Sequence, residues 1–290
     1  MNRWFHRLET LRAHPRPIRF VLGRVLWATG LSERFTVETP RGFRMRFYPS
    51  SISAALWSDP TSRREDEDFV WAVLRPGDRY VDAGANVGQL AIAASLRIGP
   101  EAEAVAIEAH PDVHGYLEGN LALNGVTNVR AVHCALGEEP GEIAMTSRRS
   151  DDQNYVTAVG EVRVPMKPLD SLIEPSPIRL LKLDVEGYEL PVLRGATDTL
   201  TQTDVVYCEL SASNCARFEY APEEVETLLL EAGFVFLRWT NGFPVISDAA
   251  YFSSLPTEQI PATGYNLVAV RPSVTDEVIG RLRDARWVPG

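Results

Sequence analysis

Cysteine is scarce in this sequence. Cys134, Cys208 and Cys215 are the whole complement, and no pair has the Cys-x-x-Cys spacing. So few thiols argue against a disulfide framework and a sulfur-ligated zinc site; they read as reduced, buried residues of a cytoplasmic protein. Long apolar runs are missing as well. No stretch approaches the ~18 uninterrupted apolar residues of a membrane span, and Arg7, Arg12, Arg16, Arg19 and Arg24 break the N-terminal apolar stretches before a signal core forms. Basic charge is in deficit: 29 Lys and Arg face 39 Asp and Glu, for a net charge of −10. A surface built to neutralise phosphates needs clustered Lys and Arg, so nucleic acid is not the expected partner.

What is present is the composition of a globular protein, 45% hydrophobic and 23% charged over 290 residues, enough for one large core. The first thirty or so residues hold Arg, Trp, Phe and Leu with almost no acid except Glu9. They read as helices packed on the body of the fold, with a lid or an anchor to an anionic surface as the functional alternative. Residues 35–47 alternate around Pro40-Arg41-Gly42, the pattern of a hairpin. Residues 62–74 read as a helix with acids near its start.

From Tyr80 onward, strand, glycine-rich turn and helix repeat, as in a parallel sheet covered on both faces. Strands are expected at 80–81, 105–107, 129–134, 180–183 and 205–210, with antiparallel closing strands at 234–239 and 266–271. Helices are expected over 87–96, from Pro111 to Gly125, and over 222–233. Short strands at 143–145 and 162–166 flank a polar run, 147–154, read as a loop near a site. The expected division is an N-terminal helical and hairpin extension (1–60), a main domain (61–272) and a C-terminal tail (273–290).

The chemistry concentrates at the strand ends. Asp82-Ala83-Gly84-Ala85-Asn86-Val87-Gly88 is a small-residue turn leading from a buried strand into a helix, which lets a ligand approach the backbone. Counted from Gly84, a Gly-x-Gly-x-x-Gly fingerprint would need glycine where Asn86 and Gln89 stand, so a dinucleotide pyrophosphate is poorly supported. Glu108, at the end of the second strand, suits the two hydroxyls of an adenosine ribose, which does not separate NAD from S-adenosylmethionine. Ala135 and Leu136 offer small apolar walls where an adenine could lie, or simple packing. Asp184, Glu186 and Glu189 cluster past the fourth strand, where ligands bind in doubly wound sheets; Glu189 fits a dipole-compensating role equally well.

Taken together, Asp82-Ala-Gly-Ala-Asn-Val-Gly88, Ala135-Leu136-Gly137, Pro168-Leu169-Asp170-Ser171-Leu172, Lys182-Leu-Asp-Val-Glu-Gly-Tyr-Glu189 and the strand ending in Glu209 resemble the FkbM family of class I methyltransferases over roughly residues 65–240. The resemblance implies a Rossmann-like α/β fold, with a mostly parallel seven-stranded sheet and an antiparallel last strand. It implies S-adenosylmethionine as cofactor and O-methylation of a hydroxyl on a natural product, sugar or glycan. Carried over to this chain, Asp82, Gly84, Asn86 and Gly88 would hold the methionine part, Glu108 the ribose, Ala135 and Leu136 the adenine, and Asp184 the methionine amine or the acceptor.

A hydroxyl acceptor must lose its proton, and Asp184, Glu186 and Glu209 are the candidate bases, ahead of His110 and His133. An alternative places Mg²⁺ on Asp184, Glu209 and Asn214. Trp57, Trp71, Trp239 and Phe243 could line an acceptor pocket or simply fill the core. Two other function classes stay open at this point: a nicotinamide oxidoreductase on the same sheet, and a binding module without catalysis.

Overall fold

The structure, a computed structural model, describes residues 16–146, 156–157, 160, 162–240, 242–247 and 265–288. The polar run 147–154, the first fifteen residues and Asn241 lie outside them, as does the Phe243 side chain.

In chain order the elements are helix α1 (Pro17–Ala28), strands β1 (Thr36–Glu38) and β2 (Arg44–Arg46), helices α2 (Ser51–Ser58) and α3 (Arg64–Val73), then β3 (Tyr80–Ala83), α4 (Gln89–Ile98), β4 (Ala104–Glu108), α5 (Pro111–Leu123) and β5 (Val129–His133). Next come β6 (Ala135–Leu136), β7 (Gly141–Met145), β8 (Val156–Thr157), β9 (Val162–Lys167), β10 (Ile178–Leu183), α6 (Glu189–Arg194), α7 (Thr197–Thr201) and β11 (Thr203–Leu210). The chain closes with α8 (Ala212–Cys215), α9 (Pro222–Glu231), β12 (Val235–Thr240), β13 (Phe243–Ser247), β14 (Tyr265–Val270) and α10 (Thr275–Asp284).

The main sheet runs β13-β12-β14-β11-β10-β3-β4-β5. Its pairings from β11 to β5 are parallel, and β14, β12 and β13 pair antiparallel. The expected seven strands are thus eight among the described residues. One more edge strand, β13, pairs antiparallel with β12, and Gly242 just before it has the positive φ that suits a hairpin connection. The order reverses at β3, with β4 and β5 on one side and β10 and β11 on the other, so the crevice beyond the β3 carboxyl end is the topological switch point.

Alternation along the strands assigns the two faces. Val81, Ala83, Leu181 and Leu183 join one core with Leu193 of α6 and Leu229 of α9. Tyr80, Leu180 and Tyr207 join the other with Phe69 and Val73 of α3, Leu90 of α4, and Leu282 and Trp287 at the C-terminal end. Because side-chain direction alternates with period two, Asp82 and Lys182 fall on the same face as Tyr80 and Leu180. The segment after Pro272, expected as a tail, instead contains α10, whose Val278 and Leu282 are fully buried. Arg281 caps the end of α3 through the Ala72 and Leu74 carbonyls, at 2.6 and 2.8 Å.

The N-terminal extension packs across the carboxyl side of β3 and β4. Arg41, in the β1–β2 turn, pairs with Glu67 and Asp68 of α3 and lies over the Trp71 ring. Trp57 of α2 stacks on Phe47 with centroids 5.1 Å apart and donates to the Arg19 carbonyl of α1. A smaller sheet, β6-β9-β7-β8, fills the long connection between β5 and β10.

Candidate active site

A cavity of about 330 Å³ opens over the carboxyl ends of β3, β4 and β10. Gly84, Asn86, Glu108, Ala135, Leu136, Asp184 and Glu186 all line it, seven residues singled out from sequence and scattered over a hundred positions of chain. Ser51, Ile52 and Ala55 of α2 close one side, and Met145 of β7 another.

The turn after β3 can be followed donor by donor. Gly84 N and Ala85 N both donate to the Ile107 carbonyl, at 3.0 and 2.9 Å, and Gly88 N donates to the Ala85 carbonyl. Asn86 N donates to Glu108 Oε2 at 2.9 Å, and Val87 N to Asn86 Oδ1 at 2.8 Å. Five consecutive N–H groups are thus satisfied within the protein. Phosphate-binding loops instead aim such donors at the ligand; this turn brings its backbone to the cavity with those donors already paired. Gly84 is required by its φ of +84° and by space, since a Cβ there would lie 1.8 Å from the Asp184 carbonyl oxygen. Asn86, at φ +49°, takes the left-handed conformation that Asn tolerates best among residues with a side chain.

Glu108 is fixed from two sides. Its Oε2 accepts from Asn86 N and its Oε1 from His110 N at 2.8 Å, so the end of β4, the turn after β3 and the start of α5 are tied through one carboxylate. Ala135 and Leu136 are buried where β6 runs beside β9, and they present an apolar wall.

Asp82 lies under the turn rather than in the cavity. It is 1% exposed, and the ammonium of Lys182 stands 3.5 Å from its Oδ1, as expected for residues paired across β3 and β10. Lys182 Nζ also donates to the Gly84 carbonyl at 2.9 Å and lies 3.2 Å from Asp184 Oδ2. One buried cation therefore joins the turn, the strand below it and the carboxylate at the cavity edge. Burial works against the Lys182 charge, but Asp184 and Asp82 outweigh it and hold its pKa above the ordinary lysine value. Burial alone would raise Asp184, yet Lys182 and Arg63 outweigh that and hold it below the ordinary carboxylate value. Asp82 is the reverse case: burial prevails over Lys182 and its pKa is raised.

Gly88 is the N-cap of α4, where a Cβ would meet Leu117 at 2.6 Å; it sets the helix on α5 and does not line the cavity. Glu186 lines the cavity with φ +56°, and Asn214 Nδ2 donates to its Oε2 at 3.2 Å. Glu189 is structural. Its carboxylate is buried and accepts from Val185 N and Gly187 N, with the Tyr220 hydroxyl 3.0 Å away. Glu209, near the carboxyl end of β11, is exposed and does not line the cavity, yet it sits in the field of Asp184, which with desolvation pushes its pKa up to about 7.

Arg63 and Lys182 are the functional-site residues that sequence reasoning missed. Arg63 takes a left-handed conformation just before α3 and pairs with Asp66 at 3.2 Å and Asp184 at 3.8 Å. Nothing in its local pattern announces this. Lys182 did leave a signal: it is one of two lysines in the chain and sits inside the apolar run Leu180-Leu181-Lys182-Leu183, so it required a buried counter-charge.

The Mg²⁺ alternative does not fit the donor set. Asn214 turns its amide nitrogen, not its oxygen, to Glu186. Among the described residues no group of three or more His, Cys, Asp and Glu side chains is arranged to hold a metal. The aromatic residues considered for an acceptor pocket pack elsewhere: Trp57 on Phe47, Trp71 under Arg41 and Arg97, Trp239 edge-on to Trp287. His133 sits beside the Ala109 carbonyl, 3.0 Å away, while buried His110 reaches the cavity wall.

Fold and site together define a doubly wound α/β protein with a ligand cavity at its switch point and an acidic residue at the end of the second parallel strand. The methyltransferase FkbM domain model matches residues 82–236, more than half of the chain, and the chain belongs to that family. It is 31% identical over 151 residues to "Methyltransferase 1" of Beauveria bassiana, a stretch covering 42% of this chain and 60% of that protein. It is 28% identical over 213 residues to "Hexuronic acid methyltransferase AglP" of Haloferax volcanii, covering 70% of this chain and 83% of that one. Among solved structures, a SAM-dependent O-methyltransferase from Thermotoga maritima superposes with a TM-score of 0.42 at 14% identity, over 71% of this chain and 64% of that one. No helix of the described residues is long and apolar enough to cross a membrane.

Proposed function

We propose that this protein transfers the methyl group of S-adenosylmethionine to a hydroxyl oxygen of a small-molecule or glycan acceptor. The observation that carries the reading is the pairing of a turn whose five N–H donors are already used with a carboxylate, Glu108, held at the cavity wall. A pyrophosphate needs open donors at such a turn, whereas an unphosphorylated nucleoside needs a fixed acceptor for its ribose diol.

In this reading Glu108 takes the ribose hydroxyls, Ala135 and Leu136 flank the adenine, and Gly84 and Asn86 bound the methionine portion. Asp184, kept ionised by Lys182 and Arg63, attracts the methionine ammonium. Asp82 and Gly88 act from beneath, through Lys182 and through the start of α4. The cofactor supplies a sulfonium-activated methyl carbon for in-line displacement. The chain contributes alignment and a dry wall, the main source of acceleration for such a transfer. Glu209 accepts the acceptor's proton, because a carboxylate titrating near 7 is half ionised at neutral pH and basic enough to take it. Glu186 orients the same hydroxyl from the cavity rim.

The acidic chain suits a small or glycan acceptor better than nucleic acid. A relative named for hexuronic acid makes hydroxylated sugar acids the first acceptors to screen.

Calorimetric titration with S-adenosylhomocysteine, alongside NAD, tests the cofactor without the acceptor. Micromolar binding of the first alone is expected. Glu108→Ala is expected to weaken it by about a hundredfold, the equivalent of ~3 kcal/mol for a charge-assisted contact. Binding of NAD instead, or unchanged affinity in the variant, sinks the reading.

A further inference from the structure

Helix α1 has two apolar faces, and the fold uses one. Gly23 and Leu26 are buried against the extension; a Cβ on Gly23 would meet the Trp57 ring at 2.7 Å, and the Arg19 carbonyl receives the Trp57 indole. The opposite arc, at helical spacing, carries Ile18, Val21, Leu22 and Val25. Ile18 is 83% exposed and the other three are about half exposed. Four large aliphatic side chains side by side on one helix form a patch, unlike the scattered exposed leucines of an ordinary surface.

Charge indicates what covers it. Arg24 borders the apolar arc, exposed Arg16, 4.0 Å from Asp59, precedes the helix, Arg19 lies over the Trp57 ring on the packed side, and the helix itself contains no acid. The first 34 residues hold seven arginines against two glutamates, in a chain whose net charge is −10. An aliphatic strip bordered by arginine is the pattern of a helix lying in the plane of an anionic lipid surface. A self-pairing face would have no use for the positive border, since two copies would bring like charges together.

We propose that α1 docks this protein on an anionic bilayer as an in-plane helix, with Ile18, Val21, Leu22 and Val25 entering the acyl boundary and Arg24 meeting the headgroups. The docked helix packs on α2 through its other face, and α2 carries Ile52 and Ala55 into the cavity wall. Docking therefore sets the cavity directly behind the membrane-facing helix. This does not depend on the chemistry performed in the cavity.

Flotation of the full chain with phosphatidylcholine vesicles containing phosphatidylglycerol, against pure phosphatidylcholine, tests it. The chain is expected to float with the anionic vesicles, and Val21→Asp with Val25→Asp should lower the partition coefficient about tenfold or more. Arg24→Glu, or about 0.5 M salt, should weaken binding by screening or reversing the headgroup attraction. The substituted positions are exposed, so an unchanged melting temperature shows that the fold is retained. Equal flotation of the aspartate variant, equal binding to neutral vesicles, or no binding at all overturns the proposal. So does a stable dimer in sedimentation that the aspartate variant dissociates, which would assign the strip to a second copy.

Discussion

The two halves of the cavity are built on different principles. On the β3–β4 side, shape is made by backbone: a glycine at positive φ with no room for a side chain, an asparagine in the left-handed region, and N–H groups already paired with the turn itself and with the end of β4. Its single charge, Glu108, is anchored by one of those donors, Asn86 N, and by His110 N. Past the end of β10 the site is made by charge. Lys182 and Arg63 hold Asp184, and Asp184 in turn sets the protonation of Glu209. A backbone-made half is insensitive to pH, whereas a charge-made half answers to it. Lys182 belongs to both, through the Gly84 carbonyl and Asp184.

That shared residue gives the strongest way to break the contrast. Lys182→Met leaves Asp82 without its cation in the interior and Asp184 with Arg63 alone, and the loss of stability is expected at about 3–5 kcal/mol, read from urea denaturation at neutral pH. The loss should shrink on acidification. Asp82 already has a raised pKa, so its protonated form is the favoured one in the fold, and lowering the pH removes the buried charge. A variant as stable as the wild type at every pH would mean the two halves are not joined there.

Gly84→Ala attacks the backbone half alone. The new methyl group would meet the Asp184 carbonyl oxygen at a positive φ, and a destabilisation of about 2–4 kcal/mol is expected, with loss of S-adenosylhomocysteine binding in calorimetry. Full affinity in this variant would show that the turn gives way more easily than its contacts imply.

The smallest effect on stability, and the sharpest test of the charge half, comes from Glu209→Gln. Because the folded pKa of Glu209 is raised to about 7, its ionised form is disfavoured in the fold and costs stability as pH rises through that value. The variant is thus expected to melt slightly above the wild type at pH 8 and level with it at pH 4. If Glu209 is the base, the acidic limb of the kcat profile near pH 7 should vanish with it. A limb that persists unchanged assigns the proton to another group.

The backbone half was legible in the sequence because its demands are local. Gly84, Asn86 and Gly88 stand within five residues, and a turn between strand and helix leaves a mark on composition that needs no partner. Glu108 could be placed because strand-end positions follow from the repeat of the fold. The parallel core from β3 to β11 was readable for the same reason, each strand being an apolar run with its own punctuation. The edge hairpin β12–β13 was missed because one more antiparallel strand needs only a short connection, and α10 because its burial depends on Phe69 and Tyr207 far up the chain.

The sequence by itself determined the class of fold, the succession of the strands along the chain and which residues stand at their carboxyl ends, since periodicity and turn chemistry act over short stretches of chain. Only the tertiary structure decided that Asp82 serves from below the turn, that the turn's donors are all taken, that Arg63 reaches Asp184, and that α1 turns an aliphatic face outward. Those facts rest on pairings across strands and between distant helices, where distance and burial set the energy of every charge and no local pattern records which partner lies opposite.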